Sequence, residues 1–343
     1  MELIELFKAA IIGIVQGITE WLPISSTGHM IIADEFIQLN VSPDFMKIFL
    51  VVIQLGSIMA VIVLYFKRLN PFASSKNKEG RKRTWWLWLK VAVACIPAAI
   101  VGLLLDNWFE ENFYNAITVA LALVLYGVAF IIVERFKGAD KPLEKATVPD
   151  VSNEPTAYVG KHSAAALAAQ SITAKTAPPS RKTAPAKRRP ASKQPHKQNN
   201  EVVAEVDNLS FARALGIGLF QCLAIVPGTS RSGATILGGR ILGVSRAAAA
   251  EFSFFLAIPV MFGWSLLRTF KAFVLDGIVL TNTEWGVFTV GVIVAFLVSI
   301  LAIKFLMEYI RKHSFEIFGW YRIVLGIVVL GFFALSGQLF IVQ

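Results

Sequence analysis

Six apolar runs, at residues 46–66, 85–105, 114–134, 249–270, 286–306 and 318–338, constrain this chain more than anything else in it. At 1.5 Å of rise per helical residue, each is long enough to cross about 30 Å of hydrocarbon. Inside that hydrocarbon every backbone N–H and C=O has to be satisfied within the segment, so the runs are predicted to be helices of an all-α polytopic membrane protein. Composition agrees, since 55% of the 343 residues are hydrophobic and 16% charged, against about a quarter charged in an ordinary soluble domain. The net charge of +10 does not point to nucleic acid, because the basic residues stand in loops between apolar runs, as in the cytoplasmic loops of membrane proteins. Cys95 and Cys222 lie far apart in apolar segments, which supports neither a disulfide framework nor a zinc site. The N-terminus begins with acidic rather than basic sequence, so no cleavable signal peptide is expected.

Loop charge sets the expected orientation. Lys67, Arg68, Lys76, Lys78, Arg81, Lys82 and Arg83 crowd one loop against Glu79 alone, while the next loop carries Asp106, Glu110 and Glu111. The basic loop is therefore predicted to be cytoplasmic. Counting spans from it leaves the N-terminal segment and the C-terminus outside, and puts Glu134, Arg135, Lys137 and the loop with Arg311 and Lys312 inside. Trp85, Trp86 and Trp88, at the start of the second run, read as headgroup anchors.

Residues 138–208 interrupt the pattern with a stretch rich in Ala, Pro, Ser, Thr and Lys, which from Lys175 to Lys197 has basic residues and no acids. Such a composition cannot bury enough apolar area to fold, and a disordered cytoplasmic insertion in reach of anionic lipid is expected. Removing residues 145–200 should leave expression and turnover near wild type, because loop-closure cost grows slowly with length. A truncated protein that expresses normally but loses most of its turnover would place the insertion in the site.

Two further apolar segments, at about 8–38 and 209–246, are each broken by polar sequence. The first reads Gln16-Gly-Ile-Thr-Glu20-Trp-Leu-Pro23-Ile-Ser25-Ser26-Thr27-Gly28-His29, the second Pro227-Gly228-Thr229-Ser230-Arg231-Ser232-Gly233. Pro23 disfavours helix at Leu22, and Ser25, Ser26 or Thr27 can cap a second helix that starts near Gly28. Each segment is thus predicted to be helix, polar break, helix, with the second helix too short to span, which makes it a re-entrant hairpin. With three spans after each hairpin, residues 1–137 and 209–343 form two repeats of opposite orientation. Inverted repeats with broken helices place their site near the midplane, where the breaks meet.

Polar side chains are costly in lipid, so a chain that keeps several together uses them. The free N–H groups and positive helix end at such a break attract an anion such as phosphate. Ser25, Thr27 and Gly28 in the first break, and Gly228, Thr229, Ser230 and Ser232 in the second, are the candidate substrate contacts. Arg231 needs a counter-charge, and is either an ion-pair partner of Glu20 or Glu251 or a planar fork for phosphate oxygens. Gln16 and Glu20, four apart on one helical face, can hold a divalent cation, Mg²⁺ or Ca²⁺, through oxygen; alternatively Glu20 orients a nucleophile. His29 beside hydroxyls can act as general acid or base, and Ser26 with His29 supplies the nucleophile and base that a hydrolase needs.

Gln16-x-x-x-Glu20 followed by Pro23-x-Ser25-Ser26-Thr27-Gly28-His29, and Pro227-Gly-Thr-Ser-Arg-Ser-Gly-Ala-Thr235, resemble the two signatures of the undecaprenyl-diphosphate phosphatase family associated with bacitracin resistance. The resemblance covers both halves of the chain. It implies an enzyme of the bacterial inner membrane that removes the terminal phosphate of the C55 isoprenoid diphosphate and recycles the carrier for peptidoglycan synthesis; the loop-charge count puts its site on the outer, periplasmic side. Carried over, the family's acidic pair falls on Gln16 and Glu20, its hydroxyl nucleophile and phosphate donors on Ser26 and Thr27, its histidine on His29, and its phosphate-binding pair on Ser230 and Arg231. Two departures stand out: Gln16 removes one metal ligand from the acidic pair, and members usually have a short link where this chain has residues 138–208. By themselves the residues also accommodate an inverted-repeat transporter or flippase for a phosphorylated lipid, which shares the architecture and the anion site but needs no nucleophile. The soluble-phosphatase-like lipid phosphatases match only Thr27-Gly28-His29. Whether Ser26, His29 or an activated water attacks phosphorus stays open, as does the choice between monomer and homodimer.

Overall fold

Apolar runs that have no strand partners must satisfy their backbone as helices, and helices are what they form. The structure is a computed structural model and describes residues 2–113, 115–138, 203 and 205–335. The first half runs α1 (Glu2–Thr19), α2 (Ser26–Ile37), α3 (Pro43–Leu64), the single turn α4 (Phe66–Leu69), α5 (Lys78–Phe113) and α6 (Ala116–Lys137). The second half runs α7 (Phe211–Cys222), α8 (Arg231–Ile241), α9 (Arg246–Phe270), α10 (Asn282–Lys312) and α11 (Glu316–Leu335). Among the described residues, α3, α5, α6, α9, α10 and α11 are the six helices long and apolar enough to cross a membrane, one for each run read from the sequence. Their outward faces are apolar where a water-facing helix would be charged: Leu103 and Leu104 of α5 are 74% and 75% exposed. The chain is a multi-pass helical membrane protein.

Three boundaries differ from expectation. α5 begins at Lys78, inside the basic loop, because charge does not stop a helix and Asn77 Oδ1 accepts the Gly80 N–H at 2.8 Å to start one. α10 runs on to Lys312, so Arg311 and Lys312 form its last turn, where cations complement the helix dipole, rather than a loop. The third difference is at the end of the expected insertion. Val203 bridges to Val244, Val206–Asn208 form a 3₁₀ turn, and Val206 is 1% exposed. Lys90 Nζ donates to the Asp207 carbonyl at 2.8 Å. Val203 and residues 205–208 therefore belong to the folded body; the short apolar stretch they stand in is concealed by the long polar segment before it. The expected disorder of the rest of the insertion falls on residues 139–202, which lie outside the described residues.

Small residues bring the helices together. A Cβ on Gly127 of α6 would sit 2.6 Å from the Gly319 carbonyl oxygen of α11, and one on Gly319 would sit 2.7 Å from that of Gly127. Gly13 and Gly17 of α1 lie equally near the carbonyls of Gly291 and Ala295 on α10, at 2.8 Å for each added Cβ. Lipid supplies no hydrophobic drive between helices, so close backbone approach and dispersion do the work. α1 lies along α10, α7 along α5 and α6 along α11, while within each broken pair α1 packs on α2 and α7 on α8.

Candidate active site

Both breaks restart in the same way. After α1 the chain turns through Glu20 to Ile24, and α2 begins at Ser26 because Ser25, at φ 74°, caps it: Ser25 Oγ accepts the Gly28 N–H at 3.2 Å. α8 begins at Arg231 because Ser230, at φ 71°, accepts the Gly233 N–H at 3.2 Å. A left-handed non-glycine residue costs on the order of 1–3 kcal/mol and is kept where the surroundings over-determine it. Gly228, at φ 89°, permits the second turn to pass under α6, since a Cβ there would lie 2.5 Å from the Val119 carbonyl oxygen.

The two turns meet over one ion pair. Arg231 Nη2 donates to Glu20 Oε1 at 2.9 Å, Arg231 Nη1 to the Ser253 carbonyl at 3.0 Å, and Gln16 Nε2 to Glu20 Oε2 at 3.0 Å. Ser232 Oγ donates to the Glu20 carbonyl at 3.1 Å and stands 3.1 Å from Ser230 Oγ. The Arg231 guanidinium also lies 5.7 Å from the Trp21 ring, which is wedged edge-on against Phe254. Of the two carboxylates weighed for Arg231, Glu20 is the partner; Glu251 pairs with Arg68 instead.

The candidate contacts separate into used and free groups. Ser25 is wholly buried and its hydroxyl is engaged with Gly28, so it is a cap. Gly228 and Thr229 turn their carbonyls to Arg322, and Ser232 is buried on Glu20. Ser26 and Thr27, half-buried, have no side-chain hydrogen bond among the described residues. His29 does not reach Ser26. Its Nδ1–H donates to the Ser25 carbonyl at 2.7 Å, which leaves Nε2 to accept from the Tyr321 hydroxyl at 2.7 Å, with the two rings stacked.

Gln16 and Glu20 share a face as their spacing requires. Among the described residues, however, no three His, Cys, Asp or Glu side chains gather as a metal centre would need. One carboxylate and one amide oxygen fit a hard cation that draws its other ligands from water and phosphate, as Mg²⁺ usually does.

Sequence reasoning missed Arg322 and Tyr321. Arg322, on α11, is wholly buried; Nη1 donates to the Pro23 carbonyl at 3.2 Å, and Nη2 to the carbonyls of Gly228 at 2.9 Å and Thr229 at 2.8 Å. One guanidinium thus ties the first break to the second. The signal was present, because Arg322 is the only charge in the run 318–338, and such a charge marks a site by default.

Fold and site together define a polytopic membrane protein whose polar centre is assembled from two broken helices. The chain belongs to the family described as bacitracin resistance protein BacA, whose profile matches residues 9–174 and 187–328. It is similar to undecaprenyl-diphosphatase of Enterococcus faecalis, with 45% identity over 334 residues that cover 96% of this chain and 98% of that protein. Undecaprenyl-diphosphatase 1 of Clostridioides difficile is 46% identical over 333 residues, 97% of this chain and 98% of the relative. Undecaprenyl-diphosphatase of Desulfitobacterium hafniense is 44% identical over 335 residues, again 97% and 98%.

Proposed function

We propose that this protein hydrolyses undecaprenyl diphosphate to undecaprenyl phosphate and inorganic phosphate, recycling the lipid carrier for peptidoglycan synthesis and conferring bacitracin resistance. The observation that carries the reading is the convergence of both breaks on Arg231 and Glu20, in a chain 45% identical over nearly its whole length to a protein named undecaprenyl-diphosphatase. The two halves are inverted repeats and the broken pairs are re-entrant hairpins. Support comes from the matching caps Ser25 and Ser230, and from α1 packing on α10 as α7 packs on α5.

In this reading the Arg231 fork and the N-termini of α2 and α8 bind the phosphate oxygens, and Thr27 adds a hydroxyl. Ser26, without a side-chain hydrogen bond among the described residues, attacks phosphorus or positions the water that does. His29, held with its proton on Nδ1, offers Nε2 to take the proton of the attacking group once the Tyr321 hydroxyl turns aside. Glu20, with the amide oxygen of Gln16, would hold a divalent cation, Mg²⁺ or Ca²⁺, which would supply positive charge to offset the negative charge of the diphosphate in a low-dielectric site. Chelation should then silence phosphate release, and Glu20→Gln should lose both turnover and the response to added cation. Full, still metal-dependent turnover in Glu20→Gln would remove Glu20 as a ligand.

The site faces the periplasmic side of the bacterial inner membrane, since the basic ends of α5 and α10 lie toward the cytoplasm by the charge rule. Asn40, exposed between α2 and α3, supplies the test: in cells, Asn40→Cys should react with an impermeant thiol reagent added from outside, while Lys82→Cys should not. The reverse pattern would invert the orientation. The decisive assay is phosphate release from C55 diphosphate by the purified protein. A folded wild type that moves the lipid between leaflets without releasing phosphate would be a transporter, not a hydrolase.

A further inference from the structure

Gln221 is a buried polar side chain that the site just described leaves unused. It stands near the end of α7, 3% exposed, and among the described residues neither Nε2 nor Oε1 has a hydrogen-bond partner. An unpaired amide in an apolar interior is costly, and in a native protein it calls for a cause, a group that binds it being one. Gln221 lines a cavity of about 490 Å³ between α5, the end of α7 and α9, within the roughly 300–1,000 Å³ typical of ligand pockets. Arg231 lines the same cavity, and its Nε is also buried and without a partner among the described residues. Two unsatisfied polar groups therefore share one end of a cleft whose walls are otherwise almost wholly apolar.

The other end opens on the lipid-facing flank, where Leu103 of α5 and Leu267 of α9 are exposed. Gly102 on α5 and Gly263 on α9 stand one on each wall. A Cβ at either would meet nothing within 4 Å, whereas the glycines of the packed helix pairs sit against backbone. These two glycines keep a space open instead of closing one. Gly102 is roughly 36 Å along α5 from Lys78 at its basic end, which puts the mouth in the leaflet far from the basic loops.

We propose that this cleft takes the isoprenoid chain of the diphosphate substrate, which enters sideways from the bilayer between α5 and α9, and that the Gln221 amide with Arg231 Nε binds the phosphate attached to the chain. The assignment rests on the prenyl-diphosphate reading above. A phosphate offers acceptors to both donors at the closed end, and a methyl-rich chain fits the walls; a water-soluble phosphate leaves those walls without purpose. The terminal phosphate then lies toward Ser26 and His29, on the far side of Arg231 from the cleft.

The experiment is phosphate release from C55 diphosphate by full-length protein in detergent, with melting temperatures measured alongside. Gly102→Phe and Gly263→Phe fill the cleft from opposite walls into open space. Each should raise KM about tenfold or more at nearly unchanged kcat and melting temperature, as expected when about 1.4 kcal/mol or more of binding is lost. Gln221→Leu removes the amide at similar volume. It should melt at or above the wild-type temperature, because an unsatisfied group is gone, yet lose about tenfold in kcat/KM, the scale of one hydrogen bond to a charged group. A Gln221 that only fills space predicts a stable Leu variant with wild-type kcat/KM, and that result overturns its assignment. Unchanged KM in both folded Phe variants overturns the chain site. A wild type that releases no phosphate sinks the substrate reading itself, and the cleft assignment with it.

Discussion

Arg231→Lys should fold as well as wild type and fail in turnover almost as completely as Arg231→Ala. The guanidinium places Nη2 on Glu20 at 2.9 Å and Nη1 on the Ser253 carbonyl at 3.0 Å, and leaves Nε without a partner among the described residues. A lysine ammonium can hold its charge opposite Glu20, so the ion pair survives, but it cannot offer a planar fork to two phosphate oxygens at once. Hydrogen bonds that strengthen as charge develops in the transition state are the ones that raise kcat. Their loss should lower kcat by about two to three powers of ten, at roughly 1.4 kcal/mol per power. Arg231→Ala adds a second effect, because Glu20 keeps only Gln16 as a partner in a site where it is 6% exposed, and the melting temperature should fall as well. Phosphate release and melting measured on the same preparations separate the two roles. Wild-type turnover in Arg231→Lys would reduce this residue to an ion-pair partner.

At Arg322 stability and turnover should fall together. Arg322→Leu strips donors from the carbonyls of Pro23, Gly228 and Thr229, and a buried carbonyl left unpaired costs about 1–3 kcal/mol. The same change releases the two turns from each other, so even the folded fraction should lose most of its phosphate release. Arg322→Lys should recover part of the stability, since an ammonium carries three donors but no fixed geometry. Size-exclusion profile, melting temperature and phosphate release report on it. An Arg322→Leu protein of wild-type stability that is merely slow would move the residue from holding the turns to touching substrate, and one normal in both respects would leave the clamp without a role.

The spans were legible because an apolar run satisfies its backbone within itself, whatever else the chain does. Their ends were not. Charged residues at Lys78 and at Arg311 and Lys312 look like loop, although the helix continues through them. The break at Pro23 was legible from the restriction a proline places on the residue before it, but the choice among Ser25, Ser26 and Thr27 was not, because all three are good caps. Backbone conformation decided it: Ser25 enters the left-handed region and caps, which leaves Ser26 and Thr27 without a side-chain partner among the described residues. Val203 and Val206 were not legible because the apolar stretch 202–206 that holds them is too short to show a period and directly follows a long polar segment.

By itself the sequence determined the class of the protein, the number of its apolar spans, the places where two further helices break, and the charges, Glu20 and Arg231, that need partners in lipid. Only the tertiary structure decided who those partners are. Arg231 takes Glu20 while Glu251 takes Arg68, His29 turns to Tyr321 rather than Ser26, Arg322 ties both breaks together, and Gln221 is left open to a cleft. The reason is one of range. Hydropathy, caps and prolines act over a few residues and are written where they act. The partner of a buried polar group depends on which helix faces meet, and that follows from glycine contacts such as Gly127 with Gly319, almost two hundred residues apart.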